Sequence, residues 1–539
     1  MDRPGTAIDC AAMQPPADPR LESFSAVTGE LLGSVRATAA RDVGAAVAGA
    51  AAVQRIWAQL RLEDRARYMQ RAAQAVIDES DDLEQLICHE QGRPRAEVAL
   101  MELLPAIETL QWLADRAPRV LRGERVRVTR ALRPFSSARW TYEPLGVIGV
   151  LSPTAEPFST PLGDVAVSLM AGNGVVLKPS PHAALAAERI GRVFARAGLP
   201  EGLLQIVHGH ADVGMALVDT PVAQVRYTGS VDAGRDVLEA CARRIKRAVL
   251  ELGGQDAMVV CADADLGRAV SGAVWGAFAN AGQCGGSVKR AYVVSEVAER
   301  FLAGVIEDAG ALRCGDPRDP AVAIGPLARR DRVDQLRELI DDALEHGATL
   351  HCGGPLEVSG LPGPFLVPVV VTGVTGAMRL AREEVPGPVL AVWAVDDEEA
   401  AIAGANDSEF GLGASVWTED RYKATRIARE LRVGMVWMND HLVTRSAPQL
   451  PWGGVRGSGI GRARGAVALR TCAEPKVLTW DPPHGRPFWW FPYDGTLLKA
   501  ARALGALRSA RDADRERALR QGGLPALRVI GRMVASLRR

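Results

Sequence analysis

From Asp42 to about Leu121 the apolar residues recur at helical spacing. Ala45, Val47, Ala51, Val53, Ile56 and Trp57 set the period, which predicts amphipathic helices. A Val/Arg alternation follows at Arg125-Val126-Arg127-Val128, then Trp140-Thr141-Tyr142, and both stretches predict strand. The segment Pro144 to Leu250 has another character. Its apolar runs are short and continuous: Val147-Ile148-Gly149-Val150-Leu151, Gly174-Val175-Val176-Leu177 and Leu204-Gln205-Ile206-Val207. Helical stretches such as Ala183 to Ala197 lie between them. Runs of this kind are strands buried on both faces, and their alternation with helices implies a parallel sheet covered by helices. The same grammar repeats from Ala257 to about Thr372 and again through Val389 to Val436. Two α/β domains in tandem are therefore expected.

Composition narrows this picture without redirecting it. A chain of 539 residues is too long for one small core and suggests two or three domains. With 47% hydrophobic and 24% charged residues it has the balance of a soluble globular protein. The formal net charge is +0, so no global field draws in nucleic acid or membranes. The 8 cysteines stand singly and form no CxxC pair, which argues against a zinc ribbon or a disulfide scaffold and suits a reducing cytoplasm. Met1-Asp2-Arg3-Pro4 opens no apolar signal-peptide region, and no apolar run reaches the ~18 residues of a membrane span. His208-Gly209-His210 lacks further ligands at metal-site spacing.

The two ends differ from the middle. Residues 1–20, rich in Ala, Pro and Asp, are expected to form a loose arm. The tail, residues 486–539, opens with Pro487-Phe488-Trp489-Trp490-Phe491-Pro492 and carries twelve Lys/Arg against four Asp/Glu. Leu497, Leu498, Leu504, Leu507 and Leu519 make it amphipathic. A helix packing on its own protein or on a partner subunit fits this pattern, and so does a surface helix in peripheral contact with anionic lipid. A nucleic-acid role would need a basic patch outside the tail.

Several separated motifs stand in a fixed order between about Phe24 and Asp481. They are Glu143-Pro144-Leu145-Gly146-Val147, Ala171-Gly172-Asn173 with Leu177-Lys178-Pro179-Ser180, Tyr227-Thr228-Gly229-Ser230 and Glu251-Leu252-Gly253-Gly254. Then come Asn280-Ala281-Gly282-Gln283, Glu383-Glu384-Val385-Pro386-Gly387-Pro388, and Pro451-Trp452-Gly453-Gly454 followed by Ser458-Gly459-Ile460-Gly461-Arg462. Each is weak alone. Together they resemble the aldehyde dehydrogenase superfamily along almost the whole chain. The resemblance implies an α/β fold with two tandem Rossmann-like parallel-sheet domains and a small β extension for oligomerisation. It implies an NAD(P)-binding domain over 21–250 with 125–143 in the extension, a catalytic domain over 251–455, and a return to the cofactor domain with an oligomerisation strand over 456–485. It also implies oxidation of an aldehyde to a carboxylic acid with NAD or NADP, through a cysteine thiohemiacetal and thioester, in a homodimer or homotetramer.

At the cofactor end, Gly229 to Gly234 follows the strand-like Gln224-Val225-Arg226-Tyr227 and opens a helix. Gly229, Ser230 and Gly234 would bring backbone N–H groups to a pyrophosphate at a helix N-terminus, the plain alternative being an ordinary βα turn. Lys178 ends an apolar strand, where ligands bind in open α/β sheets. The resemblance implies that Lys178 meets a ribose, that Glu384 holds the nicotinamide ribose, and that Pro386 belongs to the same contact. Three residues after the lysine, many NAD-preferring relatives carry a glutamate. Here the residue is Pro181, so NAD and NADP both stand.

The chemistry needs a thiolate, donors for an oxyanion, and a base that activates water. Glu251 resembles the base, in a motif intact except for Gln255 where lysine is usual. The nucleophile departs from the family pattern of Gly-Gln, any residue, Cys, four residues, Arg. In Gly282-Gln283-Cys284-Gly285-Gly286-Ser287-Val288-Lys289-Arg290 the ungapped slot holds Gly285, and Cys284 falls one residue early. Two compensating indels restore Cys284 to the slot, and the adjacent glycines would let the loop re-aim it. The family's oxyanion asparagine is matched by Ala155, in Pro153-Thr154-Ala155-Glu156-Pro157, with Thr154 or a backbone N–H as substitute donor. Losing one such donor costs roughly 10²–10³ in rate. The expected activity is an aldehyde dehydrogenase using Cys284 and Glu251. The alternatives are a catalytically impaired pseudoenzyme serving as cofactor-binding scaffold or regulatory subunit, and an esterase-like activity without hydride transfer.

Overall fold

Val147–Leu151 and Gly174–Lys178 are buried at every residue, as a strand covered on both faces must be. In the computed structural model, which describes residues 20–126, 137–481, 490–491 and 493–537, they lie side by side in a six-stranded sheet. Its order is Gly459–Ile460, Arg247–Glu251, Gln224–Thr228, Val147–Leu151, Gly174–Lys178, Leu204–Ile206. The last five are parallel, and Gly459–Ile460 runs antiparallel to Arg247–Glu251. The chain leaves Val147–Leu151 in one direction across the sheet and returns beside it at Gln224–Thr228. That reversal opens a crevice at the carboxyl ends of the strands.

A seven-stranded sheet follows the same logic. Its order is Thr349–Val358, Leu361–Thr372, Val389–Val395, Val288–Val294, Asp256–Val260, Gly413–Trp417, Met435–Met438. All neighbours are parallel except the first two strands, which form a hairpin. The parallel grammar read through Thr372 is corrected there. Only Ser359 and Gly360 separate the strands, with Gly360 at φ 76°, and a two-residue link permits antiparallel pairing alone.

The helical period after Asp42 becomes Val43–Trp57, Leu62–Asp78, Ser80–Gln91 and Leu104–Val120. The helix read over Ala183 to Ala197 spans Ala184–Arg196, after a short 3-10 turn. Arg20–Phe24 and Leu31–Arg36 form a hairpin that no periodicity announced. Arg20 thus opens a strand, while the rest of the expected arm, residues 1–19 with Cys10, lies outside the described residues, as do Arg127, Val128, Pro487–Trp489 and Pro492.

The described chain separates into two compact units. One contains both large sheets, in residues 20–121 and 143–474. The other is built on a three-stranded sheet of Ala473–Trp480, Ser137–Pro144 and Arg125–Val126, with the helices Gly495–Ala506 and Asp512–Leu537. Among the described residues no helix is long and apolar enough to cross a membrane.

Trp57 ends the Val43–Trp57 helix, is buried, donates from Nε1 to the Leu169 carbonyl at 2.8 Å and meets Tyr68 edge-on at 4.9 Å. Trp57→Ala leaves a cavity and an orphaned carbonyl, and is expected to cost about 3–5 kcal/mol. A denaturant midpoint unchanged from the parent would contradict this packing.

Candidate active site

The crevice is a cleft of about 560 Å³ at the strand ends of the six-stranded sheet. Lys178, Gly229, Ser230, Glu251, Cys284, Glu384 and Pro386 all line it, so residues spread over two hundred positions meet in one place. Gly234 does not. It is buried one turn into the Val231–Arg243 helix, where a Cβ would collide with Leu252, so it serves close packing of helix against strand.

At one end Gln224–Thr228 stops, Gly229 and Ser230 turn the chain, and the Val231–Arg243 helix begins. Tyr227 folds back over Gly229, and its hydroxyl leaves no room for a side chain there. Ser230 precedes the helix without capping it through its side chain. The first helical N–H groups, beside Gly229, Ser230 and Ala233, therefore border the cleft as a cradle for a phosphate. Lys178 is buried at the end of its strand, and burial lowers its pKa to about 8, with Asp212 opposing. Among the described residues its ammonium has no hydrogen-bond partner, so a donor waits where a hydroxylated ligand would lie. Opposite, Glu384 rests against the backbone of Gly253, where a Cβ would come 2.6 Å from its carboxyl carbon. Burial raises Glu384, and Arg332 and Lys289 draw it back. The helix N-terminus, the unpartnered cation and the buried Glu384 carboxylate on one cleft together fit a dinucleotide.

The loop before Cys284 is held in an unusual backbone. Asn280, Ala281 and Gly282 are consecutive left-handed residues with φ of 55°, 50° and 67°. For the two that carry a Cβ this is a strained conformation, sustained only by surrounding contacts. Those contacts are present. The Asn280 N–H donates to the Glu97 carboxylate at 2.9 Å, and Arg93 Nε donates to Asn280 Oδ1 at 2.8 Å. Arg93 Nη1 pairs with Glu102 at 2.5 Å, both fully buried, and Glu102 also accepts the N–H groups of Phe158 and Ser159. Arg93 Nη2 and Asn280 Nδ2 both donate to the Ala155 carbonyl, at 3.0 and 3.3 Å. One buried guanidinium thus fixes the Cys284 loop to the loop that carries Ala155. The Thr154 hydroxyl is engaged with Ser180 Oγ at 2.6 Å.

Beyond the turn, Cys284 borders the cleft while packing with Leu412, Met435, Trp437, Leu442 and Trp452. Gly285 is different. Its φ lies outside the left-handed region, and a Cβ there would meet only Leu412 Cδ2, at 3.5 Å. The slot that matches the family's cysteine can hold a side chain, and this chain leaves it empty of one. On the far side Lys289 Nζ donates to the carbonyls of Gly282 at 2.8 Å and Gly387 at 2.6 Å. It clamps the Cys284 loop to the Glu384 loop. His441 Nε2 lies 2.7 Å from the Gly286 carbonyl and must donate to it, since burial lowers the ring to about 4 and keeps it neutral.

Glu251 sits where the cleft meets a second, smaller cavity of about 30 Å³, and Thr160, Glu251 and Arg464 line both. Burial, with the Asp164 carboxylate adding to it, holds Glu251 well above the ordinary carboxylate range, and Arg226 and Arg464 pull it back. Arg226 is buried against Asp164 at 2.5 Å; burial disfavours its charge, and Asp164 more than restores it. Glu156 lines the cleft too and raises Glu251 further. Sequence reading missed Arg93, Glu102, Lys289, His441 and Arg464 as site residues. Only Lys289 lies within a motif, beside Arg290.

Comparison with known proteins agrees with this geometry. Residues 14–478 match the family model described as Aldehyde dehydrogenase family. A betaine aldehyde dehydrogenase of Cereibacter sphaeroides is 37% identical over 452 residues, 84% of this chain and 92% of the relative. A 4,4'-diapolycopene aldehyde oxidase of a Methylomonas species is 36% identical over 442 residues, 82% of each. Among solved structures, a Mycobacterium tuberculosis aldehyde dehydrogenase complexed with NAD+ superposes with a TM-score of 0.82 at 33% identity, covering 86% of this chain and 95% of that one.

Lys289 offers a test of the clamp. Burial lowers it to about 7, against an ordinary lysine value of 10.5 in the unfolded chain. Between those values the folded protein binds fewer protons than the unfolded one, so this group makes stability rise with pH, and the gain is lost as pH falls toward 7. The stability advantage of the parent over Lys289→Met is expected to widen from neutral to alkaline pH in denaturant titrations. A constant difference would refute the assignment.

Proposed function

The chain belongs to the aldehyde dehydrogenase family, and from that premise we propose that it oxidises an aldehyde to a carboxylic acid with NAD(P)+, using Cys284 as nucleophile and Glu251 as base. The observation that carries the reading is that Cys284 and Glu251 line one cleft with the cofactor-side residues Lys178, Gly229, Ser230 and Glu384. NAD(P)+ would supply the hydride acceptor when bound, and the N-terminus of the Val231–Arg243 helix with Lys178, Glu384 and Pro386 would hold it.

The chain's own residues do the rest. The Cys284 thiolate adds to the aldehyde carbon, forming a C–S bond and an alkoxide. Once that adduct has been oxidised to the thioester, Glu251 takes a proton from water, and the hydroxide adds to the acyl carbon. The C–S bond then breaks, releasing the acid and returning the thiolate. A carboxyl raised by burial is suited to this proton transfer near neutral pH. The same family reading carries a homodimer or homotetramer, which sedimentation velocity reads directly.

A second reading is favoured by three observations. The Gly285 slot has room for a side chain and none is present, Ala155 offers no amide, and Cys284 packs among apolar side chains. These support a cofactor-binding scaffold that does not turn over. NAD(P)H formation with both cofactors and a panel of aldehydes separates the two. Under the first reading the parent turns over, Cys284→Ala abolishes turnover, and Gly285→Cys in that background restores part of it. An inactive parent that Gly285→Cys alone brings to life would establish the scaffold. In the active case, acid release is expected to climb with pH as Glu251 ionises, over a range above that of an ordinary carboxylate, and Glu251→Gln should remove the climb.

A further inference from the structure

The Gly495–Ala506 and Asp512–Leu537 helices form an antiparallel pair whose contact is made by small side chains. Ala500, Ala503, Ala518, Gly522 and Val529 are buried between them, and Gly522 is so close to Ala503 that a Cβ would collide. At 3.6 residues per turn, Ala518, Gly522 and Val529 share one narrow face of the longer helix. Leu524 and Leu527 fall on the opposite side and are 63% and 66% exposed, while Leu519, 62% exposed, flanks the seam. Arg517, Arg520 and Arg528, also exposed, lie in the same arc as Leu524 and Leu527. Before the hairpin, Trp490, Phe491 and Tyr493 are exposed as well.

The charges of the tail are not balanced among themselves. Its four acids are each engaged by an arginine: Asp494 with Arg532 at 2.5 Å, Asp512 with Arg515, Asp514 with Arg511 at 3.5 Å and Glu516 with Arg520 at 3.9 Å. Among the described residues, Lys499, Arg502, Arg508, Arg517 and Arg528 have no carboxylate partner. The hairpin therefore presents uncompensated cations and, between them, leucines that no part of the hairpin covers.

We propose that this hairpin docks on an anionic lipid surface, lying in the interface with Leu524 and Leu527 in the acyl boundary and Arg517 and Arg528 on lipid phosphates. The interleaving decides the partner. A nucleic acid would take the arginines but leave the leucines in water, whereas a headgroup layer over hydrocarbon receives both. Exposed Trp, Phe and Tyr at the entrance suit the same depth. No described helix can cross a bilayer, so the contact is peripheral.

The test is co-sedimentation of the full chain with equimolar phosphatidylglycerol–phosphatidylcholine vesicles and with pure phosphatidylcholine vesicles. Binding is expected to the first and not the second, and to fall at high salt. Arg517→Glu with Arg528→Glu should lower the partition coefficient by roughly tenfold or more, at about 1 kcal/mol per cation removed. Leu524→Ser with Leu527→Ser should also lower it, and circular dichroism checks that the helices persist. Should the leucine variant unfold, the arginine variant still decides. Equal binding to both vesicles, no binding to either, or parental binding by the arginine variant overturns the proposal. So does self-association that the leucine variant abolishes without any vesicle binding, which would assign the face to a second copy of the chain. Salt-dependent binding to duplex DNA with no vesicle binding overturns it in favour of nucleic acid.

Discussion

A single buried guanidinium organises the site. Arg93 holds the Glu102 carboxylate, the Asn280 side chain and the Ala155 carbonyl at once, from a position with almost no access to water. Removing an uncompensated charge from water is expensive, so such a group persists where it is paired and hydrogen-bonded. Those bonds hold Asn280 and Ala281 left-handed, and the turn they make delivers Cys284 and Gly285 to the cleft. Glu102 extends the restraint, since its second oxygen accepts the first N–H groups of the Ser159–Met170 helix, which carries Asp164. Burial raises Glu251, and Asp164 adds to it. The Cys284 loop and the Ala155 loop are therefore linked through one network of buried polar groups, which reaches the helix that carries Asp164.

A second constraint acts on the same loop from its other side. Lys289 and His441 each take a loop carbonyl, of Gly282 and Gly286, so the glycine-rich stretch is anchored at both ends while its middle stays open. Glycine freedom is thereby confined to the place where a nucleophile must approach a carbonyl carbon. The vacancy of a side chain at Gly285 belongs to this rigid frame, because neither its φ nor its neighbours exclude a Cβ. Glu384 is positioned by complementary means: the absence of a side chain at Gly253 lets its carboxylate lie on the backbone that follows Glu251.

The tail obeys different physics. Its two helices associate through alanine and glycine, which permits close approach but buries little apolar area, and they leave leucines in water. The sheet unit hides its central apolar strands, Val147–Leu151 and Gly174–Lys178, at every residue. The contrast follows from sequence: continuous apolar strands must be covered on both faces, while an amphipathic helix rich in arginine needs only one.

The sequence by itself determined the layered architecture. Runs such as Val147–Leu151 and Gly174–Lys178 have no polar side to offer solvent, so a doubly covered parallel sheet was legible from them. The ordered motifs also placed Lys178, Gly229, Ser230, Glu251, Cys284, Glu384 and Pro386, and all of them border one cleft. Gly234 was read as a phosphate contact because a βα glycine looks alike in either role; only the packed Leu252 distinguishes them. The hairpin at Thr349–Thr372 escaped because its first strand, broken by Gly353, Gly354 and Pro355, has no buried residue and so carries no apolar run to announce it. Tertiary structure alone decided the partners of Arg93, the clamp at Lys289 and the field at Glu251. The bond of Arg93 to Asn280 joins residues 187 positions apart, and local pattern carries no information about which distant carboxylate or carbonyl will satisfy a buried charge.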